Sequence, residues 1–111
     1  MSEKPNDGIQ DGLGRLDKLL EHRVRLGICV LLARNDSLTF RRLKTLLQET
    51  DGSLGAHLRK LEDSGYLVVN KEFRDRKPVS WYALAPDGRD ALASHLSALE
   101  QLIQEGKVSG K

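Results

Sequence analysis

Positive side chains are the most chemically suggestive feature of this chain, because eight of them fall in three short segments. Guanidinium and ammonium groups bind phosphate oxygens, and clusters of them on one surface are typical of nucleic-acid contacts. The formal net charge is only +2, so the position of the charges along the chain is more informative than their sum. Residues 87–105, by contrast, hold four acidic residues and one arginine. The clusters are Arg41, Arg42 and Lys44, then Arg59 and Lys60, then Arg74, Arg76 and Lys77.

Side chains suited to catalysis are few and scattered. The three histidines, His22, His57 and His95, fall in three different predicted helices. The sequence contains no evident Ser/His/Asp set, phosphate-binding loop or paired-carboxylate motif. We therefore expect no enzymatic activity, no cofactor and no metal site.

Cys29 is the single cysteine, which excludes a disulfide within the chain and a multi-cysteine zinc site. It follows His22 by seven residues on the same face of a predicted helix, so the two would form half of a metal or redox sensor. The apolar neighbours Ile28, Val30 and Leu31 favour the simpler interpretation, a small core residue.

Length and hydropathy limit the class of protein. A chain of 111 residues fits one domain with a modest core. No run reaches the roughly 18 apolar residues of a membrane span, and the segment MSEKPNDGIQDG lacks the apolar centre of a signal peptide. We expect a soluble, cytoplasmic protein with no membrane partner.

Helical periodicity dominates the first half of the chain. Residues 1–12 are polar and are expected to form a flexible arm, whereas a long amphipathic helix is predicted from about Leu13 until the break at 34–37. A shorter second helix follows, with Thr39 placed to cap it and an end near Glu49. The apolar positions of the two helices are Leu13, Leu16, Leu20, Val24, Ile28, Leu31 and Leu32, then Phe40, Leu43, Leu46 and Leu47.

A third helix, about 51–64, and a hairpin come next. Either Thr50 or Asp51 supplies the N-cap of this helix, and Gly65 sits where a left-handed residue ends it. Residues 66–73 and 79–84 are rich in β-formers and flank a charged tip. The buried stripe of the third helix is Leu54, Leu58 and Leu61.

A last helix begins at Pro86, where Ala85 offers no side-chain cap, and continues to about Glu105 before a tail at 106–111. Because the second and third helices are separated by only a few residues, they predict a helix-turn-helix, with the first helix as its wall and the hairpin as a wing. The predicted fold class is α+β, mainly α: a winged helix-turn-helix domain at 13–105, with three helices, a hairpin wing and a C-terminal helix.

The chain resembles the small winged helix-turn-helix regulators of the arsenic-repressor and multiple-antibiotic-resistance types over about Leu16 to Leu102. The resemblance is carried by the run HLRKLEDSGYLVVNKEFRDRKPVSWYALAPDGRDAL. The resemblance implies regulation of transcription through sequence-specific binding of double-stranded DNA. Helix 51–64 would enter the major groove, and the wing at 73–79 would contact backbone or minor groove. Metal-sensing members carry a Cys-x-Cys pair before the recognition helix; residues 43–48 have none. A protein-interaction module is the alternative function.

Two glycines stand near the front of the predicted recognition helix, and each costs about 1 kcal/mol relative to alanine. With the leucine stripe turned inward, Gly52 faces outward, and its bareness would let the helix approach a major groove and a phosphate. Gly55 lies on the flank and predicts a close crossing of the second helix. Ordinary packing with a tolerated defect is the alternative interpretation of both.

Roles within the predicted interface differ. Ser53, His57 and Lys60 are candidates for base edges or nearby phosphates, whereas Arg59 and the wing cations are expected on phosphates or in the minor groove. A structural His57 bonded to a carbonyl is the competing interpretation. The predicted DNA-contact set is Arg41, Arg42, Lys44, Gly52, Ser53, Ala56, His57, Arg59, Lys60, Arg74, Arg76 and Lys77.

Leucine stripes on the terminal helices predict a homodimer. They exceed what one late helix needs to cover a small core, and two recognition helices about 34 Å apart would read a longer site. A last helix lying wholly on its own subunit is the alternative. The predicted dimerisation residues are Leu13, Leu16, Leu20, Leu92, Leu96, Leu99, Leu102 and Ile103.

Overall fold

The computed structural model describes residues 7–107. Within them no helix combines the length and the apolar character needed to cross a membrane. The succession of helices, hairpin and final helix confirms the predicted winged helix. The elements are α1 (Asp7–Arg15), a short 3-10 helix (Lys18–Glu21), α2 (Arg23–Arg34), β1 (Leu38–Thr39), α3 (Phe40–Leu47), α4 (Asp51–Asp63), β2 (Leu67–Arg74), β3 (Lys77–Leu84) and α5 (Pro86–Gly106).

The predicted first helix is broken into three pieces, and the prediction of one continuous helix from Leu13 was wrong. The Asp17 carboxylate accepts hydrogen bonds from the N–H groups of Leu19 and Leu20, and His22 accepts one from the N–H of Val24. Each side chain therefore starts a new helix, because it satisfies backbone donors that a continuous helix would have used internally. Apolar spacing alone does not register these breaks.

The helix α1 also corrects the expectation of a flexible arm over residues 1–12, since residues 7–12 are helical. Gln101 donates a hydrogen bond from Nε2 to the Gly8 carbonyl oxygen at 2.9 Å, and Arg15 donates to Gln101. Packing against α5 thus organises a polar segment that has little helical tendency of its own. Residues 1–6 of the arm and 108–111 of the tail lie outside the described residues, and Gly106 is the last residue of α5.

Close approach of α1 to α5 depends on glycine. A Cβ at Gly12 would lie 2.9 Å from Cδ2 of Leu102, and a Cβ at Gly8 would collide with the carboxylate of Glu105. Leu102 therefore packs on α1 of its own chain but stays partly exposed, so its place in a dimer surface remains a prediction.

Capping residues fix the helix-turn-helix. Thr39 accepts a hydrogen bond from the N–H of Arg42 at 3.0 Å, as predicted. Thr50, rather than Asp51, caps α4, because its Oγ1 accepts the Ser53 N–H at 3.1 Å. Gln48, with a left-handed φ of 55°, ends α3 and turns the chain toward α4. The expected left-handed Gly65 follows α4 with a φ of 82°.

The sheet has the antiparallel order β1-β3-β2. Arg74 pairs with Lys77, so Asp75 and Arg76 form a two-residue turn, with φ values of 50° and 66° that match a type I′ hairpin. One face of the sheet, carrying Leu67, Tyr82 and Leu84, packs on the helices; we call it the inner face. The outer face carries Val68, Asn70, Glu72, Val79, Trp81 and Ala83.

The core lies between α2, α4, the inner face and the first half of α5. Leu20, at the end of the 3-10 helix, is completely buried in it, and Leu92 of α5 is only 4% exposed. Both residues were predicted to meet a second subunit, and that prediction was wrong, because they complete the core of their own chain. The remaining members of the core cluster are Val24, Ile28, Cys29, Leu32, Leu43, Leu54, Leu58, Leu61 and Leu67.

Tyr66 joins the end of α4 to the bend that follows α1 and to the first half of α5. Its N–H bonds to the Leu61 carbonyl oxygen and its own carbonyl accepts the Ala85 N–H, both at 2.9 Å. Its hydroxyl donates to the Asp17 carboxylate, and burial together with this bond raises the pKa of Tyr66 to about 12. The Asp17 N–H in turn donates to Nδ1 of His95, a buried residue of α5, at 2.9 Å. We call Asp17, Tyr66 and His95 the joint.

Substitution of Gly88 by alanine is expected to destabilise the fold by about 1–3 kcal/mol or more. A Cβ there would collide with the carbonyl oxygen of Tyr66 and lie 2.9 Å from its carbonyl carbon, so backbone would have to move. Thermal or urea unfolding measures the change. Gly14→Ala is the matched control: its Cβ meets nothing within 4 Å, and it should stabilise α1 by up to about 1 kcal/mol. Equal unfolding midpoints for the two variants would contradict the prediction.

Candidate nucleic-acid interface

The front of α4 is bare. A Cβ at Gly52 would meet no atom within 4 Å, and Ala56, Arg59 and Lys60 are exposed along the same side of the helix. The first N–H groups of a helix have no acceptor within it, so this end offers donors as well as space. The predicted outward face of α4 is therefore present.

Gly55 does not mark a close helix crossing. A Cβ at this position would also meet nothing within 4 Å, so the predicted contact with the preceding helix is wrong. The tight approach occurs instead at Gly27, where a Cβ would lie 2.9 Å from Cδ2 of Leu47 and so hold α2 and α3 apart. Helical spacing places Gly55 on the flank of α4 but does not determine which element lies opposite, and in the structure that position faces open space.

Two grooves meet at Arg41. One lies between α3 and the start of α4, and the other between α3 and the wing. Together they make a continuous surface on which positive side chains of two elements lie beside the bare end of α4. The first groove is lined by Phe40, Arg41, Lys44, Thr45, Gln48, Glu49 and Asp51, and the second by Thr39, Phe40, Arg41, Arg74, Asp75, Lys77, Pro78, Val79 and Ser80.

Thr45 and Gln48 were missed by the sequence-based choice of contacts, because that choice followed charge. Thr45 stands one helical turn after Arg41 on α3, so helical spacing would have found it, whereas Gln48 is the left-handed residue that ends α3 and neither charge nor spacing indicates it. Uncharged hydroxyl and amide groups are common donors to phosphate oxygens.

Acidic side chains temper the positive charge at the front of α4. Asp51 forms an ion pair with Lys44, in which Nζ lies 2.8 Å from Oδ1. The side chain of Asp51 is 77% exposed and that of Lys44 is 44% exposed. The pair links α3 to α4 and engages Lys44, one of the residues predicted to bind phosphate. An exposed pair of this kind contributes little stability, so an incoming phosphate can compete for the lysine.

Arg42 stands apart from the other predicted contacts. Its side chain lines a separate hollow with Leu31, Arg34, Asn35, Leu38 and Leu46, on another side of α3 from the grooves that share Arg41. Adjacent residues of a helix point about 100° apart, so Arg41 and Arg42 cannot both face the front of α4. The structure does not bring Arg42 to the predicted interface.

The wing carries its three cations at the tip, but they are not equivalent. Arg74 lies on the outer face, with its guanidinium carbon 5.5 Å from the centroid of the Trp81 ring and its Nε 3.8 Å from Glu72. Arg76 is in the turn itself, and Lys77 pairs with Arg74 across the hairpin. Stacking on Trp81 therefore holds Arg74 along the sheet, and the turn presents Arg76 outermost.

His57 turns toward the helix wall, away from the front of α4. Its Nδ1 is 3.1 Å from a guanidinium nitrogen of Arg25, and its ring centroid is 4.2 Å from that of His22. Burial, then the neighbouring His22 and Arg25, lower the pKa of His57. These contacts favour a structural role for His57. Its partners are Arg25 of α2 and His22, rather than the backbone carbonyl of the sequence-based interpretation.

Ser53 has its hydroxyl engaged, because Oγ donates to Oε1 of Glu49 at 2.7 Å. This bond ties the first turn of α4 to the preceding loop. A base contact by Ser53 would require the hydroxyl to leave Glu49 or to accept a hydrogen bond at the same time.

Cys29 is completely buried, and burial raises the pKa of its thiol to about 12, with the Asp17 charge adding to the effect. A thiol in that state is a poor nucleophile and metal ligand. Its core role is thereby favoured over the sensor. Among residues 7–107, no group of three or more His, Cys, Asp and Glu side chains is placed to hold a metal ion.

A helix-turn-helix with a charged hairpin beside its second helix defines a class of protein, the winged helix DNA-binding domain. A family model of that description matches residues 24–103, and the chain belongs to this family. It is 31% identical, over 77% of its own length and 92% of the other's, to an uncharacterized protein from Methanocaldococcus jannaschii.

Solved structures share the fold. A transcriptional regulator homologue from Pyrococcus horikoshii is similar with a TM-score of 0.80 and 25% identity, covering 92% of this chain and 99% of that one. The apo form of MarR from E. coli has a TM-score of 0.67 and 15% identity, covering 93% and 81%. The regulator BldR from Sulfolobus solfataricus has a TM-score of 0.67 and 22% identity, covering 92% and 74%.

Proposed function

We propose that this protein is a cytoplasmic, homodimeric transcriptional regulator that binds double-stranded DNA at specific sequences. In this proposal α4 enters the major groove, and the wing follows the backbone into the neighbouring minor groove. One observation carries it: the bare front of α4 at Gly52 lies beside a groove that holds Arg41 and Lys44, and this groove meets at Arg41 a second one that holds Lys77. Membership of a DNA-binding family supports the same function and favours it over a protein-interaction module.

Exposed apolar residues of α1 and α5 support the homodimer. Leu13 of α1 and Leu96 and Ile103 of α5 are 51%, 42% and 54% exposed, and Leu16 and Leu99 are half-buried. Leu96 and Ile103 are seven residues apart and therefore lie on one side of α5. A second copy would cover this apolar strip and place a second α4 along the duplex.

Selection of bound fragments from genomic DNA tests the proposal. The protein is mixed with sheared duplex, and the retained fragments are sequenced after several rounds. We expect enrichment of a two-fold symmetric sequence whose halves are about one helical turn apart. Retention of fragments without any common sequence would contradict specific binding, and failure to retain duplex at all would contradict DNA binding.

Replacement of Arg74, Arg76 and Lys77 by alanine should weaken binding to specific and random duplexes alike. Phosphate binding releases counterions, so the slope of log affinity against log salt should become shallower by about 0.9 for each phosphate that the variant no longer neutralises. Because Arg74 already contacts Trp81 and Glu72, we expect the change in salt slope to come chiefly from Arg76 and Lys77. Fluorescence anisotropy across a salt series measures it. Arg34→Ala, on the loop side of α2, is the control, and a slope unchanged in the triple variant would remove the wing from the interface.

A further inference from the structure

Phe73 is the most exposed large apolar side chain among residues 7–107, with 76% of its surface open to solvent. It lies on β2 one position before Arg74 and opposite Pro78. Single exposed apolar residues are common, and exposure alone indicates nothing. The position of Phe73 within the wing is what gives it a meaning.

The inner face of the sheet carries Phe73. Side chains alternate along a strand, so Phe73 shares a face with Leu67 and Val69, whereas Arg74 lies on the outer face over Trp81. Leu67 is buried against the helical core. Tyr82, which pairs with Val69, packs against the core cluster to which Leu58 and Leu61 of α4 belong, so this face looks toward α4.

Phe73 is therefore on the α4 side of the wing, beyond the point where the helices cover it. At about 3.3 Å per residue it stands roughly 20 Å along β2 from Leu67. A duplex held by the front of α4 would lie on this side of the hairpin. Lys71 shares the inner face with Phe73, and Arg76 and Lys77 follow at the tip, so four of the six residues that flank Phe73 between 71 and 77 are cations and two, Glu72 and Asp75, are acidic.

Resting on the proposed function, we propose that Phe73 packs on the deoxyribose groups of the minor groove beside the half-site read by α4. The surrounding cations bring a polyanion to this place, and the sugar faces are the apolar part of that polyanion. The contact removes apolar surface from water and neutralises no phosphate, so it adds affinity without adding salt dependence. Charge patterns in the sequence do not reveal such a contact.

Phe73→Ala tests the assignment against the triple wing variant. We expect the affinity for a selected duplex to fall about ten- to hundredfold, as burial of one aromatic side chain implies, with an unchanged salt slope and an unchanged melting temperature. Phe73→Leu should recover much of the affinity. Val68→Ala is the matched control, because Val68 is 55% exposed on the same strand but on the outer face.

Each outcome separates this inference from the proposed function. If the wild type binds duplex and Phe73→Ala binds equally well, the inference is wrong and the function stands. If Phe73→Ala loses affinity together with salt slope or melting temperature, Phe73 acts through the position of the wing cations or through the fold, and the sugar contact is wrong. A wild-type protein that binds no duplex refutes the proposed function itself.

Discussion

Replacing Gly52 with glutamate is expected to abolish specific DNA binding, with a loss of at least about 100-fold, which corresponds to about 2.7 kcal/mol. A carboxylate at this position would stand beside the phosphates that the first turn of α4 approaches, and its side chain would fill the space that the glycine leaves open. The fold should not suffer. Glutamate is a better helix former than glycine and complements the helix dipole, so stability should rise by about 1 kcal/mol.

Two further variants separate bulk from charge at Gly52. Gly52→Ala adds one methyl group in open space and should bind with little loss, whereas Gly52→Gln adds the bulk of glutamate without its charge and should fall between the two. Anisotropy titrations and melting curves are measured on all three. A Gly52→Glu protein that binds as tightly as the wild type would show that α4 faces elsewhere.

Ile103→Glu should convert the protein to a monomer and weaken binding to a two-half-site duplex by about 100-fold or more. Ile103 is 54% exposed, so a charge there leaves the subunit's own core intact while it would have to be buried in the proposed interface. Linking two recognition helices in one dimer multiplies their affinities, and this gain disappears with the dimer. Sedimentation at micromolar concentration and binding to single and paired half-sites measure both effects.

Gln104→Glu is the matched control for the dimer variant. It adds the same charge one residue further along α5, on the side lined by Arg15, Ser97, Glu100 and Gln101, which is polar. Its mass in solution and its affinity should equal those of the wild type. The dimer prediction is wrong if Ile103→Glu sediments like the wild type, or if the wild type is a monomer that binds a palindromic site undiminished.

Local chemistry made much of the helix-turn-helix predictable from the sequence. Thr39 was placed as a cap by its position before an apolar period, and Gly65 by the need for a left-handed residue after α4. The choice between Thr50 and Asp51 needed the structure, since both carry an oxygen of suitable reach and only the first residue lies outside the helix. Interactions within a few residues are encoded locally, so sequence reasoning finds them.

What covers an apolar stripe was not predictable in the same way. The leucines of α5 were taken as one surface, whereas Leu92 enters the core, Leu102 meets α1 and Ile103 faces solvent. Spacing assigns residues to one side of a helix, but that side is wide enough to contact several elements. Which element packs on each residue depends on segments far away in the sequence. The glycine contacts that bring α1 onto α5 are separated by about ninety residues of chain, as the Gln101 to Gly8 bond illustrates.

Charge patterns likewise located the interface without resolving its faces. Arg41 and Arg42 are neighbours in sequence, yet only Arg41 lies between the two grooves. Arg74 is drawn onto Trp81, a residue seven positions away that pairs with Asn70 rather than with Arg74. A count of cations is therefore a good guide to the element that contacts DNA and a poor guide to the individual side chain.

The joint of Asp17, Tyr66 and His95 limits how this protein can be re-engineered. Tyr66 closes α4 and is fastened to the first bend of the chain, which is fastened in turn to α5. A recognition helix transplanted from a relative with its boundaries drawn at Asp51 and Asp63 would keep these bonds, because their side chains lie outside it and the acceptor at Leu61 is a backbone carbonyl. A graft extended through Tyr66 must bring its own partner for Asp17, or the new specificity will be carried on a helix whose angle to α5 is no longer set.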